Sequence, residues 1–201
     1  MAEKLCERLG MSAPSYWQID PAGMEVAFAG LLMTARDFAR LGELYRNGGT
    51  LDGRLDGVAI VPQAWVRQSV TPDAPHLAPG GPIVGDHAFG FGYAYQWWIP
   101  AGNPQEYSAI GVYNQFVYVD EARGCTIVKL SANRAYGTSH DEATNREHET
   151  IALLRGIAAA ACWAWRQSAI RNVTEPVNRA PTAAVTSAGN SGFARNFVST
   201  S

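Results

Sequence analysis

Apolar residues recur with a readable period in a few stretches of this chain, and Gly and Pro punctuate the rest. Residues 2 to 9 read as the end of a helix, with Leu5, Cys6 and Leu9 on one face and Gly10 as its stop. Residues 11 to 30, broken by Pro14, Pro21, Gly23 and Gly30, read as irregular. A helix follows. Thr34 with Asp37 three residues on forms a capping pair, Phe38, Leu41 and Tyr45 recur at helical spacing, and Ala35, Ala39 and Gly42 permit close approach before Asn47-Gly48-Gly49 ends it. Residues 50 to 60 read as a surface loop. Pro62 opens a short helix bearing Trp65, Val66 and Val70.

Further along, strand periods take over. Residues 71 to 90, with His76 and His87, read as a long Pro- and Gly-rich loop of the kind that borders sites in hydrolases. Gly90 to Ile99 alternates small with aromatic residues and reads as one strand ending at Pro100. Phe116-Val117-Tyr118-Val119 is the next strand. Asp120 to Gly124 makes a five-residue hairpin loop, and Cys125 to Leu130 returns antiparallel. From about Asp141 to Arg166 the pattern is helical, with His148, Ile151, Leu154, Ala158, Ala161 and Trp165 on one stripe. Beyond Gln167 the composition turns to Ala, Thr, Ser, Asn, Pro and Gly. The reading divides the chain into a domain over 1–167 and a disordered tail over 168–201.

The 201 residues suffice for one domain with its own core, since 47% are hydrophobic and 17% charged. A net charge of −2, with only two lysines, Lys4 and Lys129, and no basic run, gives no general attraction to nucleic acid or anionic membrane. Cys6, Cys125 and Cys162 are odd in number and far apart, so they are expected to be buried thiols rather than a disulfide or zinc framework. The charged N-terminus reads as neither signal peptide nor membrane span, which makes the cytoplasm the default location.

Two stretches together resemble one family. Gly30-Leu31-Leu32-Met33-Thr34-Ala35-Arg36-Asp37-Phe38-Ala39-Arg40-Leu41-Gly42 resembles the G-G-x-x-x-T-A-R-D-L-A-R-F-G segment of serine β-lactamase-like hydrolases. Phe91-Gly92-Tyr93-Ala94-Tyr95-Gln96-Trp97-Trp98, followed by Gly111-Val112-Tyr113-Asn114-Gln115-Phe116-Val117-Tyr118-Val119-Asp120, resembles their Y-G-Y-Q-W-W … G-I-Y-G-Q-x-I-Y-V-D-P meander. The resemblance is to the branch that includes 6-aminohexanoate-dimer hydrolase and related esterases, over roughly residues 1 to 165. The resemblance implies an α/β (α+β) fold with an antiparallel sheet and flanking helices, of which this chain supplies three strands and the C-terminal helix and lacks the N-terminal part. It implies hydrolysis of a small amide or ester through a serine acyl-enzyme, without metal or organic cofactor.

In that family a Ser with a Lys one helical turn later supplies nucleophile and base, a Tyr-x-Asn loop assists, and a strand N–H holds the oxyanion. Here Met1 precedes Lys4 by three residues and Thr126 precedes Lys129, so no Ser-x-x-Lys is present. No Tyr-x-Asn precedes the Thr-Ala-Arg-Asp helix; Tyr16-Trp17-Gln18 does not match. In the family both elements precede the stretch matched here, so no catalytic residue is assigned and the chain alone is expected to form no acyl-enzyme. The third element is carried, by resemblance, on an edge strand at Ile110, Gly111, Val112 and Tyr113, the candidate substrate-binding residues. The Val112 N–H would be the oxyanion donor, and Gly111 would let substrate approach. Asn114 stands where the family has Gly, a departure that would either crowd the strand or demand a left-handed backbone there.

Duller readings stand beside these. Gly111 also suits an ordinary edge strand, and of Trp97 and Trp98 at most one faces a groove. His140, Asp141, Glu147 and His148 lack metal-site spacing, and no metal is assigned. Arg36-Asp37 reads as a helix cap, and Gly189-Asn190-Ser191-Gly192 lacks a nucleophile-elbow spacer. Two other function classes stay open: a non-catalytic ligand-binding or scaffold module, and a subunit completed by an N-terminal partner. As partner, a complementary N-terminal fragment or a second copy through self-association is expected.

Overall fold

The computed structural model describes residues 2–26, 28–50, 59–80 and 90–174, with side chains described from Lys4 to Ala161. A π-helical turn, Ala2–Cys6, runs into α1, Glu7–Leu9, so the expected first helix is present with a wider opening turn. Gly10 ends it at φ +62, in the left-handed region where glycine meets no Cβ penalty. The stretch expected to be irregular holds a small ribbon: β1, Tyr16–Trp17, pairs antiparallel with β2, Leu31–Leu32.

Helix α2, Ala35–Arg46, starts where the capping pair placed it. Thr34 Oγ1 accepts the Asp37 N–H and donates to the Asp37 carboxylate, and Asn47 is the C-cap. Phe38, Leu41 and Tyr45 are half-buried; Asp37, Gly42 and Leu44 are the fully buried positions. Asp37 is structural: its carboxylate also accepts from the N–H and hydroxyl of Ser12. Helix α3, Gln63–Ser69, has Pro62 at its N-cap and buries Val66, while Trp65 lies exposed against Tyr95. The loops expected at 50–60 and 71–90 lie partly outside the described residues; within the second, Pro75–Leu77 forms a 3-10 turn.

The sheet has five strands rather than three: β3, Gly92–Ala94; β4, Trp97–Ile99; β5, Glu106–Gly111; β6, Gln115–Asp120; and β7, Cys125–Lys129, all antiparallel in chain order. The single strand expected over Gly90–Ile99 is a hairpin. Tyr95 and Gln96, at φ +42 and +74, turn the chain back so that Tyr93 faces Trp98. The hairpin loop expected over five residues is four, because Asp120 pairs with Cys125 within the ladder.

Alternation along β6 assigns the two faces. Val117 and Val119 point to α2, where Gly42 has no room for a side chain: a Cβ there would lie 2.5 Å from Thr126 Cγ2 and 3.0 Å from Val117 Cγ1. Trp97, Ile99, Tyr107 and Val119 form this core, with Tyr45 and Val70 against it. Phe116 and Tyr118 point the other way and pack on Ile151, Leu154 and Ala158. Each such side chain contributes roughly 1.5–3 kcal/mol by leaving water.

That second cover is the C-terminal helix, in two pieces. Helix α4, Glu142–Asn145, stops at Arg146, which is left-handed at φ +55, and α5 then runs from Glu147 to Thr174. His148 and Ala161, expected on the buried stripe, are exposed; Glu147 and Thr150 are buried instead. The Trp165 and Cys162 side chains lie outside the described residues. So does the expected tail from 175 onward, whereas residues 168 to 174 continue α5. Cys6 and Cys125 are half-buried and not disulfide-linked. No helix among the described residues is long and apolar enough to cross a membrane.

Candidate functional site

The four sequence-predicted site residues occupy the end of β5 and its turn into β6. Ile110 is half-buried against the α5 core, and Gly111 faces Gln115 as the last ladder pair. Val112 and Tyr113 follow in the turn, 64% and 50% exposed, with Tyr113 at φ +66. The edge-strand expectation needs correcting. β5 is internal, between β4 and β6, and joins β4 through Trp98 opposite Ser108. Because the strands run antiparallel, Ile110 and Gly111 pass the start of β4, and edge character survives only there.

Gly111 differs from Gly42 in what requires it. A Cβ at Gly111 would meet only Gln115 Cβ, at 3.7 Å, an ordinary contact. The protein's own packing therefore tolerates a side chain at Gly111, whereas at Gly42 it does not. Of the paired tryptophans, Trp97 is buried against Tyr45 and Tyr107, and Trp98 is half-buried against Tyr93.

The turn is anchored by polar groups that spacing alone did not single out. Asn114, φ +66, is 3% exposed. Its amide N–H donates to the Asn145 carbonyl at 2.5 Å, and its amide oxygen accepts from Lys129 Nζ and, at 3.1 Å, from Thr150 Oγ1. Lys129 Nζ also donates to the Asn114 backbone carbonyl at 2.8 Å and lies over the Phe116 ring. Burial, with the Arg146 charge nearby, holds the Lys129 ammonium below the usual lysine range. The Asn133 N–H donates to the Tyr113 carbonyl, and Gln115 Nε2 to that of Val112.

Close by, Glu147 is buried with the Tyr136 hydroxyl as hydrogen-bond donor. Burial pushes its carboxyl up to about 7; the Tyr136 bond opposes this and the Glu142 charge adds to it. Its sequence neighbour His148, set aside with it as a metal ligand on spacing, is exposed and packs against the Phe91 ring. No cluster of three metal-ligating side chains occurs among the described residues. Thr126 and Lys129, three apart in β7, project to opposite faces, Thr126 towards Gly42 and Lys129 towards Asn114. They are not a nucleophile–base pair. Gly189 to Gly192 lies outside the described residues.

Comparison with known proteins fixes the relationship. The family model described as Beta-lactamase matches residues 2–152. The chain belongs to the β-lactamase family. A curated relative, 6-aminohexanoate-dimer hydrolase of Paenarthrobacter ureafaciens, is 29% identical over 114 residues, 57% of this chain and 28% of the relative. A solved structure from Bacillus anthracis, provisionally assigned as a 6-aminohexanoate-dimer hydrolase, aligns at 27% identity and TM-score 0.61 over 80% of this chain and 37% of its own. A provisionally assigned β-lactamase from Bacteroides dorei DSM 17855 aligns at 17% identity and TM-score 0.45, covering 75% and 49%. This β-lactamase-family chain thus spans under a third of its curated relative's length, and its antiparallel sheet with flanking helices is the family's α+β architecture.

Proposed function

We propose that this chain is the C-terminal part of a serine hydrolase acting on small amides or esters, and that it forms no acyl-enzyme on its own. In this reading Ile110, Gly111, Val112 and Tyr113 form the wall of the acyl site, and the Val112 N–H stabilises the oxyanion. The observation that carries it is the unfilled space at Gly111, a glycine that neither packing nor a positive φ requires, at the one exposed stretch of the strand matching the family meander. Nucleophile and base belong to a Ser-x-x-Lys helix that another segment must supply, because neither lysine of this sequence has a serine three residues before it.

The same reading assigns a polypeptide partner. Among the described residues no strand covers the outer edge of β7, and Leu130 beside it is exposed, as are Leu153 and Ile157 on α5. An uncovered ladder edge beside apolar surface is a site of strand addition or self-association. A segment bearing Ser-x-x-Lys is the partner of choice, and self-association is the default without it.

A fluorophosphonate probe tests the assignment. Mass spectrometry of the chain alone should show no adduct, while the chain mixed with a family N-terminal segment bearing Ser-x-x-Lys should gain one, on that serine. A stoichiometric adduct on any serine of this chain alone would overturn the reading.

A further inference from the structure

We propose that Asn114 is the positioning residue of the candidate site, locking the Gly111–Val112 end of β5 to α4, α5 and β7; its catalytic meaning rests on the hydrolase reading above. Two demands meet at this position. The backbone is left-handed at φ +66, which favours Gly and, among residues with side chains, Asn and Asp. The side chain is also buried and must both donate and accept, because it gives a hydrogen to the Asn145 carbonyl and takes hydrogens from Lys129 and Thr150. Glycine meets the first demand and not the second. Aspartate tolerates the backbone and keeps two acceptors, but has no N–H for the Asn145 carbonyl.

The partners make this more than a turn bond. Lys129 lies in β7, Asn145 closes α4 just before the left-handed Arg146, and Thr150 sits in the first turn of α5. One ammonium grips both oxygens of Asn114, so turn and strand are tied through side chain and main chain together. An oxyanion donor stabilises developing charge only if it is already held where that charge appears. Val112 lies two residues from the junction and is itself largely exposed, with little packing of its own to hold it. The clamp at Asn114 supplies that restraint.

The test combines backbone dynamics of the full chain with kinetics of a chimera. In the wild-type chain, 15N order parameters at Val112 and Tyr113 should match the rigid value of about 0.85 and fall below about 0.6 in Asn114→Gly. Tyr118 and Leu154 should stay rigid, and Asn114→Asp, which keeps the grip on Lys129, should fall between. A turn equally rigid in Asn114→Gly overturns the proposal, since glycine removes the clamp without straining φ. For function, residues 1–174 replace the matching part of the Paenarthrobacter ureafaciens relative, and turnover of the 6-aminohexanoate dimer is followed per labelled serine. Asn114→Gly should lower kcat about tenfold with KM little changed. A loosened turn with unchanged kcat overturns the positioning role while the hydrolase reading stands. A folded wild-type chimera that neither labels nor turns over overturns the hydrolase reading, and the role drawn from it.

Discussion

At the open end of the β5–β6 hairpin, Glu106 and Asp120 face each other across the ladder, both buried, and each meets a guanidinium. Arg155 Nε reaches both Glu106 oxygens, at 2.9 and 3.0 Å, and Arg123 lies 2.6 Å from Asp120. At the turn end a half-buried ammonium and a buried carboxyl meet neutral dipoles: Lys129 is held by the oxygens of Asn114, and Glu147 by the phenol of Tyr136. A counter-charge opposes the pull of burial towards the neutral form more strongly than a dipole does, though at Glu106 burial still prevails. The charge-matched end is thus an anchor. The dipole-matched end, beside the candidate site, holds a lysine shifted down and a carboxyl shifted up, both towards neutrality. Such opposed shifts gather at functional sites more often than at structural ones.

The largest expected effect lies at the anchor. Arg155→Met would leave Glu106 buried beside Asp120 without its guanidinium, and burial already pushes the Glu106 carboxyl up despite Arg155. Losing one partner of a buried pair costs roughly 3–5 kcal/mol; with Arg155 39% exposed, about 2–3 kcal/mol is expected in urea unfolding at neutral pH. Adding Glu106→Gln should recover most of it. A silent Arg155→Met would erase the contrast between the two ends.

Glu147 comes next, with a sign that can be worked out. Its folded pKa, about 7, lies above the ordinary 4.5, so the folded state binds this proton more tightly than the unfolded chain. The stabilisation is complete below pH 4.5 and is lost as pH rises through 7. The facing groups are Tyr136, whose hydroxyl stays protonated throughout, and Glu142, while Arg146 is paired with Glu149. At about 1.4 kcal/mol per unit, discounted for partial exposure of the surroundings, stability should decline by roughly 1–3 kcal/mol across that window. Glu147→Gln, neutral at every pH, should flatten the decline. An unchanged slope in that variant would place the titration elsewhere.

How much of this was legible depended on whether partners were near in sequence. The Thr34–Asp37 cap, the close approach at Gly42 and the β6–β7 hairpin follow local rules, and the structure keeps them. The β3–β4 turn did not announce itself, because Tyr95-Gln96 supplies left-handed φ without the Gly or Asn that usually marks a turn, and the small–aromatic alternation runs straight through it. The length of β5 was hidden by Glu106 and Ser108, which sit inward where apolar residues are expected; the partner that permits Glu106 there, Arg155, is 49 residues away. At the candidate site Gly111 was visible through its motif. Asn114 stood out only as a departure from that motif; its polar partners did not, since Lys129, Asn145 and Thr150 come from three other elements.

The smallest expected effect concerns Lys129, and it has the opposite sign to that of Glu147. Burial holds its ammonium below the usual lysine range, assisted by the Arg146 charge. A depressed folded pKa means that the folded chain releases this proton before the unfolded chain does. Its contribution is therefore full above the ordinary lysine value and lost as pH falls through the lowered one. Wild-type stability should gain slightly with pH in the alkaline window just below the ordinary value, against the falling trend that tyrosines held above the usual phenol range by burial impose. Lys129 is only half-buried, so the slope is a fraction of that expected for Glu147. Lys129→Met should remove it, and Lys129→Arg should remove it too, because a guanidinium does not titrate there. Paired unfolding series in the three proteins would read the difference. A lysine slope of the Glu147 sign would mean that Asn114 stabilises the ammonium as strongly as a carboxylate would, and the two ends of the hairpin would then be alike.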